Sequence, residues 1–223
     1  MSEWWTYRPS DLLMFAPRTY WRLFELHNEA WWPLQALAVL VGLAWAAWVW
    51  RRSAVALRAG AAALAVASIF VGWSFLLQRY APINWAAPGL AIGFFVQGTG
   101  LAALATRSDL RYTPSALRSR IGWLLFGWAL LGQPLLAPVT GRAWMQAEVF
   151  ALAPDPTAIA TLGMLLWCHV QRPISRRLLQ LLWALTLLQC TISAATLLTM
   201  GSLQGGVPMA AALAAVIAAL AKR

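Results

Sequence analysis

Residues 178–200 read LLQLLWALTLLQCTISAATLLTM, 23 residues without a charge. As an α-helix rising about 1.5 Å per residue, such a run spans roughly 34 Å, enough to cross the ~30 Å hydrocarbon core of a bilayer. Arg172, Arg176 and Arg177 stand just before it. The same alternation of apolar run and short basic or polar loop recurs along the chain. Further runs fall at Pro33–Trp50, Ala59–Leu77, Trp85–Ala105, Ile121–Thr140, Thr157–Gln171 and Val207–Ala221. The runs beginning at Thr157 and Val207 are short, and as spans they need local thinning of the bilayer. The sequence therefore predicts an all-α polytopic membrane bundle of about seven transmembrane helices.

Composition agrees. The 223 residues are 61% hydrophobic and 11% charged, where soluble domains carry about 45–50% and about 25%. Soluble globular, disordered, collagen-like and disulfide-rich secreted classes are excluded. The net charge of +10 is not a nucleic-acid footprint, because the basic residues sit singly or in pairs in loops. Counting loops on alternate sides puts 12 of the 17 Lys/Arg on one side, including Arg51, Arg52, Arg107, Arg111, Lys222 and Arg223. The excess marks the cytoplasmic face. The N-terminus is then expected outside and the C-terminus in the cytoplasm, which demands an odd number of spans. No basic region followed by an apolar core marks a cleavable signal peptide at the N-terminus.

Residues 1–32 are too polar to cross and form a first unit, ahead of a seven-helix unit at 33–223. Ser10 is placed to cap a short helix at Asp11–Phe15, and Pro17 suits the first turn of a second helix. On that second helix Arg18, Arg22, Glu25 and Glu29 make one polar stripe. Tyr20, Leu23, Phe24, His27 and Trp31 make the opposite face. The spacing predicts an amphipathic helix lying in the outer interface or packed on the bundle, with Tyr20, Phe24, His27 and Trp31 as a candidate interaction surface. The segment Arg142–Pro156, with Trp144, Met145, Val149 and Phe150, is expected to be a second interfacial element beside it. Most of the 15 tryptophans fall near predicted interfaces, as aromatic belts do.

Chemistry-bearing patterns are sparse. None of the seven runs contains Asp, Glu, Lys or Arg, which disfavours a proton pump or a carboxylate-coupled carrier. The only lysine is Lys222, so a retinal Schiff base has no mid-membrane partner. His27 and His169 are expected on opposite sides of the membrane and cannot share a haem or metal. Cys168 and Cys190 lie in apolar runs, without a CxxC, HExxH or GxSxG pattern. No catalytic residue, metal site or cofactor is predicted. Gln97, Gln133 and Gln189 are expected within about 5 Å of the midplane, with Thr99, Thr191 and Ser193 adding hydroxyls. They form either interhelical glue or a neutral polar pocket. Gly89 and Gly93, a GxxxG spacing, are candidates for close helix packing. The loop Thr106–Arg120 is expected to carry a short surface helix after Ser108.

The opening Glu3-Trp4-Trp5-Thr6-Tyr7, then Ser10-Asp11-Leu12, then residues 17–26, PRTYWRLFEL, resemble an uncharacterised family of bacterial multi-pass inner-membrane proteins, a domain of unknown function. The resemblance lies mainly in residues 3–33. It implies location in the bacterial inner membrane and no reaction. The leading functional expectation is a non-catalytic accessory, assembly or structural subunit of an inner-membrane complex. Its partners would be membrane lipid and other membrane subunits or a second copy, and not nucleic acid. The alternative is a facilitator for a small neutral solute through the glutamine pocket. An enzyme acting on lipid or quinone around His27 ranks last.

Overall fold

A computed structural model describes residues 15–221. All of the expected Asp11–Phe15 helix except Phe15 lies outside them, as do Ser10 and the Lys222–Arg223 pair. The fold is all-α, with 78% of the described residues helical. The helices are α1 (Pro17–Ala30), α2 (Leu34–Val49), α3 (Ala54–Phe70), α4 (Ala87–Ala105), α5 (Ala116–Gly127), α6 (Gln133–Val139), α7 (Pro154–Trp167), α8 (Pro173–Thr199) and α9 (Gly206–Leu220). Two stretches of π-helix extend this set. Val71–Tyr80 continues α3, and Trp128–Gly132 joins α5 to α6 into one rod. The second has a local cause: Pro134 has no N–H to give the carbonyl one turn back, and the ladder re-forms with a wider turn.

The starts of the helices follow from their sequences. Proline occupies the first turn of α1, α4, α7 and α8, where a missing N–H costs nothing. Ser53 Oγ accepts from the N–H groups of Val55 and Ala56 at 3.2 and 3.4 Å, and Ser115 Oγ from Arg118 N–H at 3.4 Å. The cap of α8 comes from elsewhere in the chain. Asp109 accepts from the N–H groups of Gln171 and Arg172 at 3.2 and 2.9 Å and from Ser175 Oγ at 2.9 Å. These hydrogen bonds outweigh the effect of burial and hold its carboxyl below the usual range.

Among the described residues five helices are long and apolar enough to cross a membrane: Ala54–Tyr80, Ala87–Ala105, Ala116–Val139, Pro173–Thr199 and Leu203–Leu220. The pair α1–α2, bent by 85°, makes a sixth if it counts as one span. The seven runs of the sequence thus give five or six such helices. The shortfall lies at α2, with 16 residues, and α7, with 14, about 24 and 21 Å long. The apolar run from Thr157 does not continue as helix to Gln171. It stops at Trp167, and Cys168–His169 pairs with Arg111–Tyr112 as a two-residue antiparallel ribbon. No helix follows Ser108 directly; the chain forms that ribbon and then enters α5 at its Ser115 cap.

The shortness of α7 has a reason in packing. Every residue from Asp155 to Trp167 is buried, because α3, α5, α8 and α9 surround this helix. It meets protein rather than lipid, so bilayer thickness does not set its length. The crossing of α5 and α7 brings backbone against backbone. A Cβ at Gly122 would lie 2.8 Å from the Gly163 carbonyl oxygen, and one at Gly163 2.8 Å from that of Gly122. Trp167, also expected at an interface, is instead wholly buried beside Trp45, Phe126 and Trp123. Its indole donates to Ser119 O at 3.2 Å, while Trp45 donates to Ala56 O at 2.9 Å.

Candidate functional site

The amphipathic helix α1 turns its apolar face onto its own bundle. Tyr20, Leu23, Phe24, His27 and Asn28 are buried, at the i, i+3, i+4, i+7, i+8 positions of one stripe. Arg18, Arg22 and Glu29 are exposed, and Arg22 pairs with Glu25. Phe24 packs on Phe75 with ring centroids 4.6 Å apart, and Trp31 on Phe70 at 4.9 Å. Polar contacts tie α1 to the segment 141–153 as well. Asn28 Nδ2 donates to the carbonyls of Met145 and Ala147 at 2.8 and 2.9 Å, Gln146 donates to Glu25 at 3.1 Å, and the Arg142 guanidinium lies 3.6 Å from the Trp21 ring centre. Of the four residues foreseen as an interaction surface, Tyr20, Phe24 and His27 are therefore used within the chain, and Trp31 is half-buried.

The three glutamines do not converge. Gln97 is satisfied across two helices, donating to Ser68 Oγ at 3.1 Å and accepting from Thr186 Oγ1 at 3.0 Å. Gln133 accepts from the Trp128 indole at 3.0 Å and donates to Glu148. Gln189 alone has neither amide atom partnered, although both are buried. Gly89 meets nothing within 4 Å, and Gly93 meets only Gln189, at 3.9 Å from a notional Cβ. Within the chain, close backbone approach falls instead at Gly122, Gly163 and Gly98, whose notional Cβ lies 3.0 Å from Ala65 O.

The segment before α7 carries a feature that span counting missed. Gln133 sits six residues in from the end of α6, about 9 Å along its axis, and Glu148 reaches it there. The connecting segment thus dips back into the bundle and buries Glu148, leaving it 2% exposed. Asp155, in the first turn of α7, is also buried. Burial, with the charge of Asp155 second, pushes the Glu148 carboxyl up to about 8. An interior free of ionisable groups, expected from the apolar runs, is overturned: two carboxylates enter it from a loop and a helix start.

Asp155 lines a small, partly enclosed cavity of about 40 Å³ with Gln189, Ser193, Tyr20, Phe75 and Phe94. It lies between α1, the π-helical end of α3, α4, α7 and α8. Among the described residues, Asp155 Oδ2 and both amide atoms of Gln189 are buried without a hydrogen-bond partner. The π-helical stretch supplies Phe75, Leu76 and Tyr80 to the wall, and such stretches recur at functional sites. Tyr20 closes the cavity from α1. Burial, reinforced by Asp155 and Glu148, pushes its phenol well above the usual range, so it stays protonated. The arrangement is an apolar recess with a few convergent polar groups, the form of a small-ligand site.

The remaining candidates do not line this recess. His27 is 1% exposed and neither ring nitrogen has a partner. Burial, helped by Arg79, pushes its imidazole down to about 4, with the Leu152 backbone opposing. Cys168 and Cys190 are buried free thiols. Among the described residues no three His, Cys, Asp or Glu converge to hold a metal ion.

Residues 18–222 match the family described as "Family of unknown function (DUF6064)". The match covers nearly the whole chain, and the protein belongs to that family. No curated protein and no solved structure matches it.

Proposed function

We propose that this family member is a non-catalytic protein of the bacterial inner membrane that binds a small solute in the recess beneath α1. The carrying observation is the set of buried polar atoms left without partners at one cavity, Asp155 Oδ2 and the Gln189 amide. An unpaired buried polar group costs about 1–3 kcal/mol, and a guest able to pair with them offsets that cost. The chain is read with seven spans, N-terminus outside and C-terminus cytoplasmic, α2 and α7 completing the five longer helices. In this frame the recess opens in the outer half of the bundle. Gln189 serves the guest, while Gln97 and Gln133 act as glue between helices. Passage of the guest across the membrane is the facilitator form of this reading.

A second reading is supported by a different feature, a groove of about 540 Å³ where α1 turns into α2, lined by Trp32, Val39, Leu40, Pro134, Trp144 and Val149. There α2 stands off the bundle with only Gly42, Trp45 and Val49 buried, a face suited to the helix of a partner subunit. Native mass spectrometry of protein extracted from its own membrane into polymer nanodiscs separates the two. The binding reading expects a small bound mass that Gln189→Leu removes while the protein still melts cooperatively. A stoichiometric partner subunit without any small bound mass transfers the assignment to an accessory subunit.

A further inference from the structure

We infer that the ligand of the recess is a small organic ammonium ion. This rests on the binding reading above and names its class of guest. Among the described residues the lining holds one charged side chain, Asp155, and no Lys, Arg or His. Its buried atoms left without a partner are two acceptors, Asp155 Oδ2 and Gln189 Oε1, and one donor, Gln189 Nε2. Asp155 is 6% exposed, with Oδ2 unpartnered. Gln189 Oε1 is also unpartnered. The Thr196 hydroxyl spends its proton on Ile192 O at 2.9 Å and keeps its lone pairs. Asp155 lies in the first turn of α7, where the helix dipole favours the carboxylate.

The rest of the lining is mainly apolar, with Ser193 beside the rings of Tyr20, Phe75, Tyr80 and Phe94. Aromatic faces attract a cation and tolerate its methyl groups. A hydrated inorganic ion fits less well, because hard cations need six or more oxygen ligands and this lining offers few. An N–H-bearing cation needs two or three acceptors and a nonpolar seat, which is what the recess provides. A cavity of about 40 Å³ admits about three non-hydrogen atoms, at 10–15 Å³ for a water-sized group. Methylammonium fits, and tetramethylammonium does not.

The experiment uses the full chain in nanodiscs, titrated with methylammonium chloride, sodium chloride at matched ionic strength, and neutral acetamide. Binding is read by calorimetry and by the shift in melting temperature. The expected result is saturable binding of methylammonium alone, weakened about tenfold or more in Asp155→Asn by loss of a charge-assisted hydrogen bond. Gln189→Leu gives an independent check if Asp155→Asn fails to fold, and is expected to weaken the same binding. Acetamide binding in preference to methylammonium overturns the ammonium assignment and leaves the binding reading standing. Equal response to sodium chloride overturns the assignment in the same way. No binding of any probe, in protein that melts cooperatively, ends both.

Discussion

Glu148 and His27 make the folded state sensitive to pH in opposite directions. Glu148 moves from 4.5 up to about 8 on folding. Its contribution to stability is fully present below the ordinary glutamate value and is lost as pH rises through about 8. His27 moves from 6.5 down to about 4. Its contribution is present above 6.5 and is lost as pH falls through about 4, up to about 3 kcal/mol at 1.36 kcal/mol per unit. The melting temperature is therefore expected to peak between these limits. Glu148→Gln should flatten the alkaline limb, and His27→Phe the acid limb, in melts of the purified protein followed by circular dichroism. A profile unchanged in Glu148→Gln would mean that its carboxyl titrates as in the unfolded chain. At this scale the sequence was only partly legible. The burial of His27 followed from its place on the apolar face of α1. Nothing near Glu148 in sequence announced that its segment turns back toward Gln133.

Among the elements, the crossing of α5 and α7 separates glycines that pack from glycines that merely match a pattern. Gly163→Ala drives a methyl group against the Gly122 carbonyl and the Phe126 N–H, at 2.8 and 3.1 Å. It is expected to cost about 1–3 kcal/mol as overpacking. Gly89→Ala meets nothing within 4 Å and, inside a helix, should be neutral or stabilising by up to about 1 kcal/mol. Melts of the two variants side by side test this. A large loss for Gly89→Ala, accompanied by loss of an oligomer, would place the 89–93 spacing at a contact between copies. A GxxxG spacing reports that a helix can approach a neighbour closely. Which helix faces it is decided by the path of the whole chain. The helix starts, by contrast, were legible wherever proline or serine fixed them locally, as at Pro17, Ser53 and Ser115. The start of α8 is capped by Asp109 from 62 and 63 residues away, and no local pattern holds that information.

For the molecule as a whole, the burial of α7 and the exposure of α2 set what a membrane must accommodate. Single cysteines test the proposed orientation, with Cys168 and Cys190 buried and so giving little background. Glu29→Cys is expected to react with a membrane-impermeant maleimide on intact spheroplasts, and Arg107→Cys only after permeabilisation. The reverse pattern would invert the assignment of sides. The sequence by itself determined the class, the places of the apolar runs and the buried stripe of α1. Those properties depend on local hydrophobic periodicity and on charge density in loops, which a single segment carries. Only the tertiary structure decided that Glu148 and Asp155 enter the interior, that Gln97, Gln133 and Gln189 part company, and that one recess is left with unpaired polar atoms. Each depends on which segments meet across long separations, and hydrogen-bond partners and voids exist only once those segments have packed.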